Sequence, residues 1–329
     1  MKLGWLWGWL VAAGLMAAPL EAGQSVRVGY FPNVTHTPAI VGLGKGFFQS
    51  ALGPEVAIET KVFNAGPAEI EALFAGAIDL GYIGSGPAIN GFVRSKGRAL
   101  RVVAGAASGG ASLIVRGDSK IAGAKDLDGK KIASPQIGNT QDIALRVYLR
   151  AAGLETSDKG GTVTVMPVAN PDILTLFGKG ELDGAWVPEP WAAILKLKGG
   201  GRELIDERSL WPNGKFPTTV VIVRVAFLEQ HRDLVRRWLQ GQAETMRWIK
   251  AHDEEAQTLV NHEIGRLTTR EIASDVLREA WARLLFTDDP LRATFEKLAR
   301  DAKDLGFLPS SDISGIFEAG LGPEPTKTQ

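Results

Sequence analysis

Val26-Arg27-Val28-Gly29-Tyr30-Phe31-Pro32-Asn33-Val34-Thr35-His36-Thr37-Pro38 is the stretch whose reading decides the fold. Val26–Tyr30 reads as a strand. The polar loop after it ends at Thr37-Pro38, where a proline suits the first turn of a helix because its missing N–H would be unpaired there anyway. That helix is expected over Pro38–Phe48, ending in a glycine-rich turn. The same grammar repeats outward: strand Val56–Phe63, helix Pro67–Ala75, strand Asp79–Ile83, helix Pro87–Ser95 and strand Leu100–Ala106. A second series follows with strands Ser112–Arg116, Lys131–Ala133, Thr162–Pro167 and Gly184–Val187. Helices are expected over Gln141–Ala152, from Pro171 and from Pro190. Alternation of this kind predicts an α/β fold with mostly parallel sheets. After a strand at Thr218–Val223, Leu228–Leu305 reads as amphipathic helix, with apolar spacing such as Leu234, Trp238 and Leu239. Two series separated by Gly105–Gly110, with a return near Pro217–Val223, predict two lobes: 25–108 with 219–308, and 109–218. Such lobes are expected to close on a ligand by hinge motion. The polar tail, residues 322–329, is expected to be disordered.

Bulk properties narrow the function. The 329 residues suffice for a two-lobed unit with a substantial core, and 45% hydrophobic with 22% charged residues is a globular composition. Lys+Arg and Asp+Glu are both 37, so the basic surplus expected of a nucleic-acid binder is absent. Without cysteine there is no disulfide, thiolate zinc site or catalytic thiol, and no lipid-modified cysteine to anchor the chain. Lys2, the apolar run Leu3–Leu20 and the small residues Ala17, Ala18, Ala22 and Gly23 read as a secretory signal peptide over residues 1–22. A membrane anchor is the alternative, but Gly4, Gly8, Gly14 and Pro19 dilute the run. The expected mature protein is therefore a monomer in the periplasm, with no membrane insertion.

The helix starts carry the first hint of a site. Thr37-Pro38, Gly66-Pro67, Gly86-Pro87 and Asn170-Pro171 put a capping-type residue before proline, and Gly138-Asn139-Thr140 opens a fifth helix. Helix N-termini that follow parallel strands face the crevice at the strands' carboxyl ends. Several together would offer N–H donors to an anion. The same spacing equally describes the well-capped helices of any α/β domain. His36 lies in the first such loop. Trp186-Val187-Pro188-Glu189-Pro190-Trp191 is a second dense spot, where an indole could line a pocket or both could lie in the core.

Catalytic templates are missing. Arg266 stands where a zinc helix beginning at His262-Glu263 needs its second histidine, and Ile83 stands where a nucleophile elbow at Ser85 needs glycine. Gly42-Leu43-Gly44-Lys45-Gly46 lacks the spacing of a phosphate loop. No enzyme and no cofactor or metal is expected.

At these residues the chain resembles the nitrate/sulfonate/taurine solute-binding proteins of ABC importers, together with their relatives that bind a thiamine pyrimidine precursor. The resemblance rests on Gly29–Asn33 with His36, Gly44–Phe48, Phe63–Pro67, Gly76–Gly81 running into Gly84–Pro87, Asp126–Ala133, Gly138–Thr140, Gly180–Trp191 and Phe227–His231. It spans about Val26 to Leu308. It implies a type II periplasmic-binding-protein fold, a small-molecule ligand in the cleft, and a permease with its ATPase as partners. Carried over by position, the ligand-binding residues would be Asn33, Thr35, His36, Ala65, Gly66, Gly84, Ser85, Gly86, Gly138, Asn139, Thr140, Trp186 and Glu189. Asn33 with His36 looks more like the pyrimidine-precursor binders, and Gly138–Thr140 more like the sulfonate binders. A small oxyanion (sulfonate, taurine or nitrate) is the leading ligand class. An aminopyrimidine, or an enzyme on the same scaffold, is the alternative.

Overall fold

The computed structural model describes residues 24–321. The expected signal peptide, residues 1–22, and tail, residues 322–329, lie outside them.

The chain opens with β1 (Ser25–Tyr30), a 3-10 turn over Val34–His36, α1 (Thr37–Gly44), α2 (Phe47–Leu52), β2 (Ala57–Val62), α3 (Gly66–Phe74), β3 (Leu80–Ile83), α4 (Ser85–Arg94) and β4 (Leu100–Gly109). The second series is β5 (Ala111–Arg116), β6 (Lys131–Ser134), α5 (Thr140–Ala151), β7 (Thr164–Pro167), α6 (Asn170–Gly178), β8 (Gly184–Pro188), α7 (Trp191–Leu197) and β9 (Gly201–Asp206). The return comprises β10 (Pro217–Arg224), α8 (Val225–Gln230), α9 (Arg232–Ala251), α10 (Asp253–Thr268), α11 (Ser274–Trp281), β11 (Leu284–Phe286) and α12 (Arg292–Asp304).

Two sheets result, one in the order β11-β4-β10-β3-β1-β2 and the other β7-β6-β8-β5-β9. In the first, β10 runs antiparallel between β3 and β4; in the second, β5 runs antiparallel between β8 and β9. Apart from β11, the two orders are therefore the same, with β1, β2 and β3 matching β6, β7 and β8. Each sheet with its helices is called a lobe below. The chain crosses between lobes at Gly109-Gly110 and again between β9 and β10.

Both faces of each sheet are covered, which explains the near-continuous apolar runs of the inner strands. On β10, Val221 and Val223 face the side packed by Trp238 and Val235 of α9, while Val220 and Ile222 face Phe295 and Leu298 of α12. β2 is an edge strand and mostly exposed, and its Glu59 and Lys61 suit an edge that must not pair further.

Three local features differ from the pattern expected of the sequence. The helix over Pro38–Phe48 is two helices, because Gly46 takes φ +74, a left-handed conformation that breaks α1 from α2. β9 was not expected, since Gly-Arg-Glu-Leu-Ile-Asp is a half-buried edge strand with charges on it. The C-terminal helical stretch is interrupted by β11, which pairs with the end of β4.

Candidate functional site

Six loops converge between the lobes: those after β1, β2 and β3 of the first lobe and those after the matching β6, β7 and β8 of the second. With Thr218 and Thr219 of β10 they enclose a compact cavity, in which the centre of a water-sized sphere has about 30 Å³ to move. The expected residues Asn33, Thr35, His36, Ala65, Gly66, Gly84, Asn139 and Thr140 all line it. Among the described residues no Asp, Glu, Lys or Arg does.

The lining side chains are held in fixed senses. The backbone N–H of Phe31 donates to His36 Nδ1 at 3.3 Å, and the two rings pack at a tilt of 35° with centroids 4.2 Å apart. With Nδ1 accepting, the imidazole proton sits on Nε2. Burial pushes the His36 pKa down to about 3, so the ring is a neutral N–H donor at ordinary pH. The Trp191 indole, which can only donate, gives its N–H to Asn33 Oδ1 at 3.2 Å, leaving the Asn33 amide hydrogens as that side chain's free end. At the start of α5, Asn139 Oδ1 caps the helix by accepting from the Asp142 N–H at 2.8 Å. Its amide nitrogen donates to Gln141 Oε1 at 3.3 Å, so Gln141 keeps its own amide hydrogens free. Thr140 Oγ1 accepts from the Gly86 N–H at 3.3 Å and keeps its hydroxyl hydrogen. In each case a protein donor occupies the acceptor end and leaves a donor over.

The helix starts reinforce this. α3, α4 and α6 are preceded by Ala65, Gly84 and Ala169, none of which has a side-chain oxygen to cap the first-turn N–H groups. In these first turns Pro67, Pro87 and Pro171 carry no N–H and Thr140 takes that of Gly86, so few backbone donors are left over, but the positive ends of the helix dipoles lie at the cavity. Gly84 is required by contact as well as by capping: a β carbon there would stand 2.4 Å from Thr140 Oγ1 of the other lobe.

The remaining expected residues stand behind the cavity wall. Ser85 is fully buried in the first turn of α4, and its Oγ has no partner. Gly86 gives its N–H to Thr140, and Gly138 gives its own to Asp142 Oδ2 at 2.9 Å. Trp186 lies in the core of the second lobe, with Tyr148 edge-on at 5.6 Å and its indole N–H bonded to Glu207 at 2.8 Å. Glu189 is fully buried and caps α7 by accepting from the Ala193 N–H at 3.0 Å; burial raises its pKa to about 7.

Sequence reasoning missed Phe31, Asn64, Pro87, Pro135, Gln141, Asn170, Pro188, Thr218 and Thr219 as lining residues. Most belong to the same strand-to-helix loops and could have been found by extending each motif by one residue. Asn170 had been noticed only as a helix start. Thr218 and Thr219 sit on the returning strand and carry no local signal. Asn170 Oδ1 and Thr219 Oγ1 are buried without a protein partner, as groups awaiting a ligand would be.

Other contacts tie the lobes together near the crossings. Arg283, between α11 and β11, reaches Glu203 and, at 3.3 Å, Asp206 of the second lobe. Lys196 and Lys198 of the second lobe reach Glu279 and Asp275 of α11, each at 2.6 Å.

Comparison with known proteins agrees with the family suggested by the motifs. A putative aliphatic sulfonates-binding protein of Bacillus subtilis (strain 168) is 25% identical over 276 residues, 83% of this chain and 79% of that protein. The taurine-binding periplasmic protein of Escherichia coli (strain K12) is 27% identical over 218 residues, 66% of this chain and 65% of that one. In fold the chain matches the alkanesulfonate-binding protein SsuA from Xanthomonas axonopodis pv. citri, with a TM-score of 0.73 at 20% identity, covering 87% of this chain and 95% of that one. The periplasmic-binding-protein fold is thus established, and these relatives are binding proteins, not enzymes. Matched by its family model from residue 21 to 262, the chain belongs to the NMT1-like family.

Proposed function

We propose that this chain is the solute-binding component of an ABC importer, working in the periplasm and capturing a small, singly charged oxyanion in the cavity between its lobes. One observation carries the reading: the lining is uncharged, and His36, Asn33, Gln141 and Thr140 have their acceptor ends bonded to protein and their donors left free. Such a surface matches a ligand made of acceptors. Neutral donors and helix dipoles suit a weakly basic oxyanion such as a sulfonate or nitrate, whereas a doubly charged phosphate would usually recruit arginine. An aminopyrimidine needs acceptors for its amino group; Asn170 Oδ1 and Thr219 Oγ1 are neutral candidates, but Glu189, the carboxylate considered for that role, caps α7 instead. The names of the relatives support the same reading, which takes a permease with its ATPase as partners, and hinge closure would bring the six loops together on the ligand.

The test is a thermal-melt panel of nitrate, bicarbonate, methanesulfonate, taurine and an aminopyrimidine. A ligand present at a hundred times its Kd stabilises the fold by about 2.7 kcal/mol, a shift easily read. At least one oxyanion should raise the melting temperature while the aminopyrimidine does not. Silence from every oxyanion at millimolar concentration, or a response to the aminopyrimidine alone, refutes the reading.

A further inference from the structure

Next to the cavity lies a second, larger space. It is a groove of about 220 Å³ walled by Pro67, Ile70, Ile137 and Phe307, with Glu71 and Arg94 beside them. Of the described residues, Pro87 alone lines both the groove and the cavity. The two spaces also divide neighbouring residues on either side: Gly66 and Asn139 face the cavity, Pro67 and Gly138 the groove. Pro87 is buried in the first turn of α4, with its ring against the start of α3. A β carbon on Gly66 would come 2.4 Å from Pro87 Cγ. That crowding leaves the ring no room to swing aside. As a proline it also contributes no N–H to the cavity wall.

We propose that Pro87 sets the size of the ligand. Its ring is the partition that confines the bound molecule to the compact cavity and shuts it out of the larger groove, where Ile70, Ile137 and Phe307 stand beside Glu71, Asn90 and Arg94. A head group of a few atoms fits; the same head group bearing an alkyl tail has nowhere to put the tail. Truncating the ring would join the two spaces, and Ile70, Ile137 and Phe307 would then cover part of the tail. This inference rests on the cavity being the oxyanion site.

The experiment measures binding of nitrate and of the unbranched alkanesulfonates from methane- to hexanesulfonate, by calorimetry, to the wild type and to Pro87→Ala and Pro87→Gly. Wild type should bind its best compact oxyanion at least tenfold more tightly than hexanesulfonate, with affinity falling steeply along the chain-length series. Pro87→Ala should shrink that ratio at least tenfold. Alanine also adds an N–H to the first turn, so the ratio, not either affinity, is the readout. A wild type that binds hexanesulfonate as tightly as the compact ions overturns the proposal, as does a folded Pro87→Ala with an unchanged ratio. The wild-type series decides the matter even if both variants fail to fold. If wild type binds none of these anions, it is the oxyanion reading that fails, and the partition with it.

Discussion

The neutrality of His36 is the point at which the site is most exposed to disproof. The ring is 2% exposed, and burial lowers its pKa from 6.5 to about 3. As the pH falls below 6.5 the unfolded chain takes up this proton while the fold refuses it until about pH 3. Stability is therefore lost with falling pH across that window. At 1.36 kcal/mol per pKa unit, the 1.5 units between 6.5 and pH 5.0 amount to about 2 kcal/mol. Other buried groups push the opposite way. Glu189 and Glu207, each raised to about 7, hold protons in the fold that the unfolded chain has released, so they favour the fold as the pH drops toward 5. The wild-type curve alone would hide the effect. His36→Gln removes the titration and keeps an oxygen able to accept the Phe31 N–H. Urea unfolding of both proteins at pH 7.5 and 5.0 gives the needed double difference. Stability should shift in favour of the glutamine variant by about 2 kcal/mol on going to pH 5.0. A difference that does not change with pH would mean that His36 ionises normally in the fold, and the assignment of a neutral Nε2 donor would be refuted.

Three further outcomes are expected. Trp191→Phe removes the donor that orients the Asn33 amide; losing one hydrogen bond of about 1 kcal/mol should weaken the best oxyanion about fivefold in calorimetry, and unchanged affinity would exclude Asn33 from the binding surface. Gly84→Ala places a methyl group 2.4 Å from Thr140 Oγ1, so α4 and α5 should no longer meet; the variant should keep its unliganded melting temperature but lose the ligand-induced rise. Glu69, fully buried with neither carboxylate oxygen hydrogen-bonded, has its pKa raised well above the ordinary 4.5 by burial. A raised folded pKa leaves stability intact below 4.5 and erodes it as the pH rises through the folded value, so Glu69→Gln should gain on wild type in melts run from pH 5 to pH 8. An equal difference at both pH values would mean that the carboxyl is already ionised in the fold.

Much of this was legible in the sequence, and for identifiable reasons. Pro38, Pro67 and Pro171 announced helix starts because a missing N–H is tolerated in only a few places, and β1 before the first of them was apolar enough to stand out. Those junctions are also where the cavity lies, so finding the joints found most of its lining. What sequence could not supply was direction. Trp186 and Trp191 stand five residues apart in the same motif, yet one faces the core of its lobe and the other reaches across to Asn33. Glu189 looked available to a ligand until the α7 N–H that it caps came into view. Thr218 and Thr219 join the site only because β10 returns between β3 and β4, a long-range event with no local trace.

That return also fixes an order of events. Every strand of the second sheet lies between Ala111 and Asp206, one continuous stretch of chain. The first sheet is split until residue 217: β4 has no bond to β3, because the strand that joins them comes from the far side of the other lobe. As the chain is made from its N-terminus, β1 to β4 must wait as two unjoined pieces while the later lobe has all it needs to fold. Joining β3 to β4 therefore needs a closure that spans the whole second lobe, a long-range contact of the kind that slows folding.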